Sequence, residues 1–206
     1  MMTLLKMHFY MSRKLLVLSF FFILGVIAIQ WFISNQINLG FLSVYFLIYT
    51  PALSISFLLE NHFIMNLRTM PIVPKDFVKS LFIFCLLLAL LITVPIIIYQ
   101  AFLYMNTSIG QYEFSFIFLV FAAGIASIGS MLKKYLSDPS SATKSFSIGA
   151  ILFYLFLFLI AHFIIMLLFN LMDLKIIGAF VTPTFGLLTY FKYYQSALKA
   201  YKATEF

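Results

Sequence analysis

Charge is the scarcest property of this chain. Asp, Glu, Lys and Arg make up 9% of its 206 residues, against about 25% in soluble domains, and a water-exposed surface cannot be assembled from so few. One cysteine, Cys85, is present, which excludes an intrachain disulfide and a Cys-based metal site. The phosphate-cradling sequence G-x-x-x-x-G-K-[ST] is absent, so the chain has no ATP motor of its own. Zinc proteolysis needs H-E-x-x-H or an equivalent, and His8, His62 and His162 are isolated. Ser127 and His162 share apolar surroundings, but nothing in the spacing pairs them as nucleophile and base. The expectation is a protein that is not an enzyme and holds no metal or cofactor itself.

What the chain has is apolar length: 64% hydrophobic residues and a mean hydropathy of +1.10. It divides into six spans, at 15–34, 39–59, 80–99, 114–132, 146–170 and 176–190, four of them close to the roughly 20 residues that cross a hydrocarbon core of about 30 Å, the fifth longer and the sixth shorter. No connecting segment is long enough for a soluble domain, so residues 1–206 read as a single all-α transmembrane domain. The first apolar stretch continues to Ile33 with no small-x-small pattern before Asn35, the mark of an uncleaved span rather than a signal peptide.

The basic residues give the orientation. Lys6, Arg13 and Lys14; Arg68, Lys75 and Lys79; Lys133, Lys134 and Lys144; and Lys192, Lys199 and Lys202 fall on one side of the six-span layout, and Lys175 falls on the other. Positive charge on every second loop places both ends in the cytoplasm. The net charge of +7 sits at span ends rather than on one helical face, so lipid headgroups, not nucleic acid, are its expected partners. Tyr99, Tyr104, Tyr112, Tyr190, Tyr193 and Tyr194 fall near span ends, as interfacial belts require.

Within the spans, Pro51 predicts a kink, and Pro183 a break in the sixth. Ala122, Ala126 and Ser130 recur every four residues in the fourth span, a face that permits close backbone approach. Either another helix of the chain or a second membrane subunit can occupy it. No Asp, Glu, Lys or Arg falls at a span centre, which leaves His162 as the one titratable candidate at membrane depth. It reads either as a hydrogen-bonded packing residue or as part of a substrate path. The tail after Tyr190, basic and aromatic, is expected to lie along the inner headgroup surface.

The loop after the second span carries the most local design. Pro71 and Pro74 interrupt the chain, and Pro74 suits the first turn of a new helix, where its missing N–H costs nothing. Asp76 then lies in the first turn, favourably placed in the helix dipole, with Lys79 further on. The prediction is a short cytoplasmic helix, serving either as an interfacial anchor or as a docking element for a cytosolic partner.

At this loop the chain resembles the membrane subunits of ABC-2 type exporters, the small bacterial six-span permeases. Glu60, Met70-Pro71-Ile72 and Lys75-Asp76-Phe77-Val78 with Lys79 stand where that family carries an acidic residue and a Leu-Pro-[IV]-[ST]-[RK]-[KR]-[DE]-[IF]-V stretch leading to a Lys; Val73-Pro74 departs from the pattern. The resemblance implies that Pro71 to Lys79, with Glu60 and Arg68, form a coupling helix seated on a separate ABC ATPase, which holds the ATP and magnesium. It also implies a second permease subunit, in a homo- or heterodimer, and a bacterial cell membrane, multi-pass location. The short length, high Phe content and lack of an outer domain look most like permeases of staphylococcal exporters for amphipathic cytolytic peptides, the phenol-soluble modulins. Two other readings stand beside it. One is a six-span substrate-binding component of a vitamin-type uptake system, with Asn106, Thr107, Ser108, Gln111 and Glu113 in its outer loop; the other is a non-transporting immunity or scaffold protein.

Overall fold

The computed structural model describes residues 2–34, 73–106, 111–137, 148–172 and 174–203. Among them the chain is all helix: α1 (Met2–Ser34), α2 (Pro74–Asn106), α3 (Gln111–Ser137), α4 (Ile148–Leu171) and α5 (Lys175–Ala203). Among the described residues, three stretches are long and apolar enough to cross a membrane: Pro74–Ile98 in α2, Ser115–Ser137 in α3 and Ile151–Leu171 in α4. The protein is a helical membrane protein. The expected spans at 80–99, 114–132 and 146–170 fall largely on these stretches, and those at 15–34 and 176–190 lie within the helices α1 and α5; the second, with Pro51, lies outside the described residues, as do Glu60, Arg68 and Pro71.

The α2 start follows the proline logic. The Val73 carbonyl accepts from the Asp76 and Phe77 N–H groups at 2.9 and 3.2 Å, so Pro74 occupies a position whose N–H would have no helical partner. Asp76 lies in the first turn, against the positive end of the dipole. The helix does not stop after a few turns, however. Pro74 to Asn106 is one element of 33 residues with Pro95 inside it, so the separate short helix expected at 74–79 is instead the base of a long one. At 1.5 Å per residue it is about 50 Å long, more than the roughly 30 Å hydrocarbon core, and nothing between Lys79 and Ser80 breaks the helical pattern.

α5 brings two corrections. It runs unbroken through Pro183 to Ala203, where a break was expected. Pro183 is buried among neighbours, the setting in which a membrane helix tolerates proline. The tail beyond Tyr190 is a continuation of α5 rather than a surface-lying segment. Ala197 and Tyr201 are buried, and the Tyr201 ring packs on Phe77 with centroids 5.5 Å apart.

α3 is the centre of the bundle, with α2, α4 and α5 packed on it and α1 packed on α2. In the most apolar part of α3, 89% of residues are buried, against 22% in α4. Tight helix ends hold this arrangement. The Leu174 N–H reaches back to the Phe169 carbonyl at 2.8 Å, and the Gly178 N–H to the Leu174 carbonyl at 3.1 Å. The first of these is the six-residue wrap that closes a helix C-terminus, and it turns the chain from α4 directly into α5.

Candidate functional site

The small-residue face of α3 is filled from within the chain. A Cβ on Gly186 of α5 would lie 2.6 Å from the Ala122 Cα and 3.1 Å from the Ala122 carbonyl oxygen, so only glycine lets the two backbones meet. Ala122 and Ala126 are fully buried in a cluster with Tyr154 and Phe158 of α4. One turn further, Ser130 lies beside Tyr154, whose hydroxyl is bonded to that of Tyr193 on α5. Of the two occupants open to Ala122, Ala126 and Ser130, the structure has the internal one, and this face does not offer itself to a second subunit. Lipid tails are as apolar as the helices, so such close packing and interhelical hydrogen bonds are what hold a membrane bundle together.

His162 lies at the junction of three helices. Its Nδ1 is 2.7 Å from the Thr182 Oγ1 on α5 and its Nε2 is 3.2 Å from the Ser115 Oγ on α3, and all three side chains are buried. A neutral imidazole has one donor and one acceptor nitrogen, so one hydroxyl donates to the ring and the other accepts from it. Both nitrogens are thereby committed to neighbouring helices, which gives His162 the hydrogen-bonded packing arrangement. Ser127, by contrast, turns its hydroxyl to the Gly124 carbonyl of its own helix at 2.8 Å. His162 therefore meets Ser115, not Ser127.

The third region is the base of α2. Lys75 and Lys79 are exposed and Asp76 is half-buried, which leaves a mixed-charge face at the helix start. Pro74 is half-buried beside them. Phe77 and Val78 point the other way, into the core. Phe77 packs between Tyr201 and His8, with His8 also against Phe84 at 5.5 Å. The Ser80 hydroxyl donates to the Phe77 carbonyl at 2.8 Å. Its single proton is thus committed, so at 3.1 Å it accepts from the His8 Nε2–H. Burial pushes the His8 imidazole down to about 4. Of the residues read as coupling elements, Phe77 is part of the internal packing, whereas Lys75, Asp76 and Lys79 remain available to a partner.

Sequence reasoning missed Ser115, Thr182, His8, Tyr201 and Gly186. Only Gly186 left a local signal: with Gly178 it places two glycines two turns apart on α5, and Gly178 too lies against a neighbour, Phe169. The other pairings join residues far apart in the chain, which no short pattern encodes. No family model, curated protein or solved structure matches the chain.

Proposed function

We propose that the chain is the membrane permease subunit of an ATP-binding-cassette exporter of the ABC-2 type. In this reading it has six spans with both ends in the cytoplasm of a bacterial cell membrane, and works with a second permease and a separate ATPase. Its substrate is hydrophobic or amphipathic, an amphipathic peptide being the leading class, because the bundle's walls are apolar and aromatic and offer almost no charge to a polar solute.

The observation that carries the reading is the start of α2. Lys75 and Lys79 are exposed and Asp76 is half-buried on the first turns, while Phe77 and Val78 are locked into the bundle. A partner gripping that face would act on a helix that continues without interruption into the membrane stretch. Phe77 is in turn tied to α1 through His8 and to α5 through Tyr201, so a displacement at the base would reach three helices together.

The test is purification of the tagged protein from native membranes in mild detergent, with mass spectrometry of the co-purifying chains and an ATPase assay. The expected result is a stoichiometric ATPase subunit whose substrate-stimulated turnover is lost in Lys75→Ala and Asp76→Ala variants that still insert normally. Full stimulated turnover in both variants would remove the coupling role, and a chain that purifies alone with no ATPase would point to the immunity or scaffold alternative.

A further inference from the structure

Between α2 and α5 runs a groove of about 570 Å³, within the usual range of roughly 300–1,000 Å³ for ligand sites. Phe82, Ile83 and Leu86 form one wall, and Leu187, Leu188 and Phe191 the other. The two polar groups in its interior are already committed to backbone. The Tyr190 hydroxyl donates to the Phe82 carbonyl at 2.6 Å, and the Thr184 hydroxyl to the Val181 carbonyl at 2.6 Å. The shaft therefore offers no free hydroxyl proton to a ligand, and only the oxygens of these two hydroxyls as acceptors.

The mouth is different. Lys79 and Tyr194 close the end nearest the base of α2, and exposed Lys75 stands one turn below Lys79 on the same helix, so two ammonium groups sit where the apolar shaft ends. Leu188 and Phe191 are 65% and 56% exposed, so the groove is open along its side. Residues 184 to 194 of α5 rise about 15 Å, which equals half of a hydrocarbon core of about 30 Å. The groove is one leaflet deep, with its cationic end at the side marked as cytoplasmic by the basic residues.

From this geometry we infer that the α2–α5 groove is a binding site for an anionic phospholipid of the inner leaflet, with an acyl chain along Phe82, Leu86, Leu187 and Phe191 and the headgroup phosphate on Lys79. A peptide is the poorer occupant. Its backbone N–H and C=O groups need partners at membrane depth, and the shaft has no hydroxyl proton left for a carbonyl and only two hydroxyl oxygens for a whole run of N–H groups. An acyl chain needs none. The Lys79 ammonium supplies the charge complementarity that separates an anionic headgroup from a zwitterionic one. The site does not depend on the exporter reading.

The full chain, with its single tryptophan Trp31 replaced by Phe and an indole introduced by Phe191→Trp, would be reconstituted in vesicles containing brominated phosphatidylglycerol or brominated phosphatidylcholine. The expected result is half-maximal quenching by the anionic lipid at a mole fraction about five-fold lower than by the zwitterionic one, the size of one lysine's contribution at a membrane surface. Lys79→Gln should abolish that preference, while Lys79→Arg and Lys202→Gln, at a residue that does not line the groove, keep it. Equal quenching by the two lipids, or a preference that survives Lys79→Gln, would overturn the site. So would an indole that neither lipid quenches because a second copy covers it, as cross-linking between copies would reveal, or one that only an added amphipathic peptide shields.

Discussion

α3 and α4 are both apolar enough to cross a bilayer, yet they occupy opposite situations. α3 is enclosed on nearly every side, whereas α4 presents Leu152, Phe153, Phe156, Phe163 and Leu167 outward. Hydropathy, which is higher in the outward-facing α4, does not by itself explain why α3 is the core. Side-chain size does: α3 carries Ala122, Ala123, Gly124, Ala126, Ser127, Gly129 and Ser130, and small residues are what allow neighbouring helices to approach from several directions. α4, built of Leu, Phe and Ile, keeps its neighbours at a distance and leaves its bulk for lipid. In a medium with no hydrophobic force between helices, the less bulky helix becomes the core.

The sharpest way to break this contrast is at the glycine contact. Gly186→Leu would drive a side chain into the Ala122 backbone, where the nearest atom already stands 2.6 Å from the position of a Cβ. Overpacking of this kind costs about 1–3 kcal/mol or more, and here no flexible side chain can yield. The expected outcome is loss of monodisperse protein on size-exclusion chromatography in mild detergent. Phe156→Ala on the outward face of α4, exposed to 65%, should leave yield and thermal stability within about 0.5 kcal/mol. If the two variants behave alike, α3 does not hold the bundle together in the way its small residues imply.

A second contrast separates the two buried histidines, His8 near the base of α2 and His162 at the three-helix junction. The imidazole of His8 is lowered from 6.5 to about 4 in the folded protein, because burial disfavours its charged form. Its contribution is fully present above about pH 6.5 and is lost as pH falls towards 4, since the unfolded chain takes up the proton first. The shift corresponds to about 3 kcal/mol across that window. Thermal unfolding in detergent between pH 7.5 and 4 should show a fall that flattens in His8→Gln. An unchanged slope in that variant would remove His8 as the cause.

His162→Leu tests the three-helix junction and should have the smallest effect. It removes the bonds to Ser115 and Thr182, and interhelical hydrogen bonds in membranes average only about 0.6 kcal/mol each. The expected loss is about 1 kcal/mol, measured as a shift in unfolding by a denaturing detergent. A much larger loss, or a transport defect with stability unchanged, would move His162 from packing to the substrate path.

Local chemistry made part of this legible in the sequence. Pro74 and Asp76 mark a helix start by rules that involve only their immediate neighbours, and the start is where they place it. Pro183 was misleading because the same rules apply to an isolated helix, and here buried neighbours surround the proline. The tail was misread for a related reason: Lys192, Lys199 and Lys202 are polar enough for a headgroup surface, but Ala197 and Tyr201 on the intervening face are buried, and Tyr201 has its partner in Phe77 at the base of α2, more than 120 residues earlier in the chain. Partners at that distance, like those of His162, are set by the packing of helices and leave no mark on spacing.

Pro183 also has a mechanical consequence. The Thr182 bond to His162 and the Gly186 contact with Ala122 hold α5 on either side of it, so the point where its backbone ladder is weakest is also where it is pinned. The part of α5 beyond the proline extends about 30 Å. A tilt of about 10° there would swing its far end by about 5 Å, roughly one helical turn. Tyr201 sits near that end against Phe77, so a small angular change at the proline would arrive at the base of α2 as a sideways displacement of about half the 8–10 Å that separates packed helix axes.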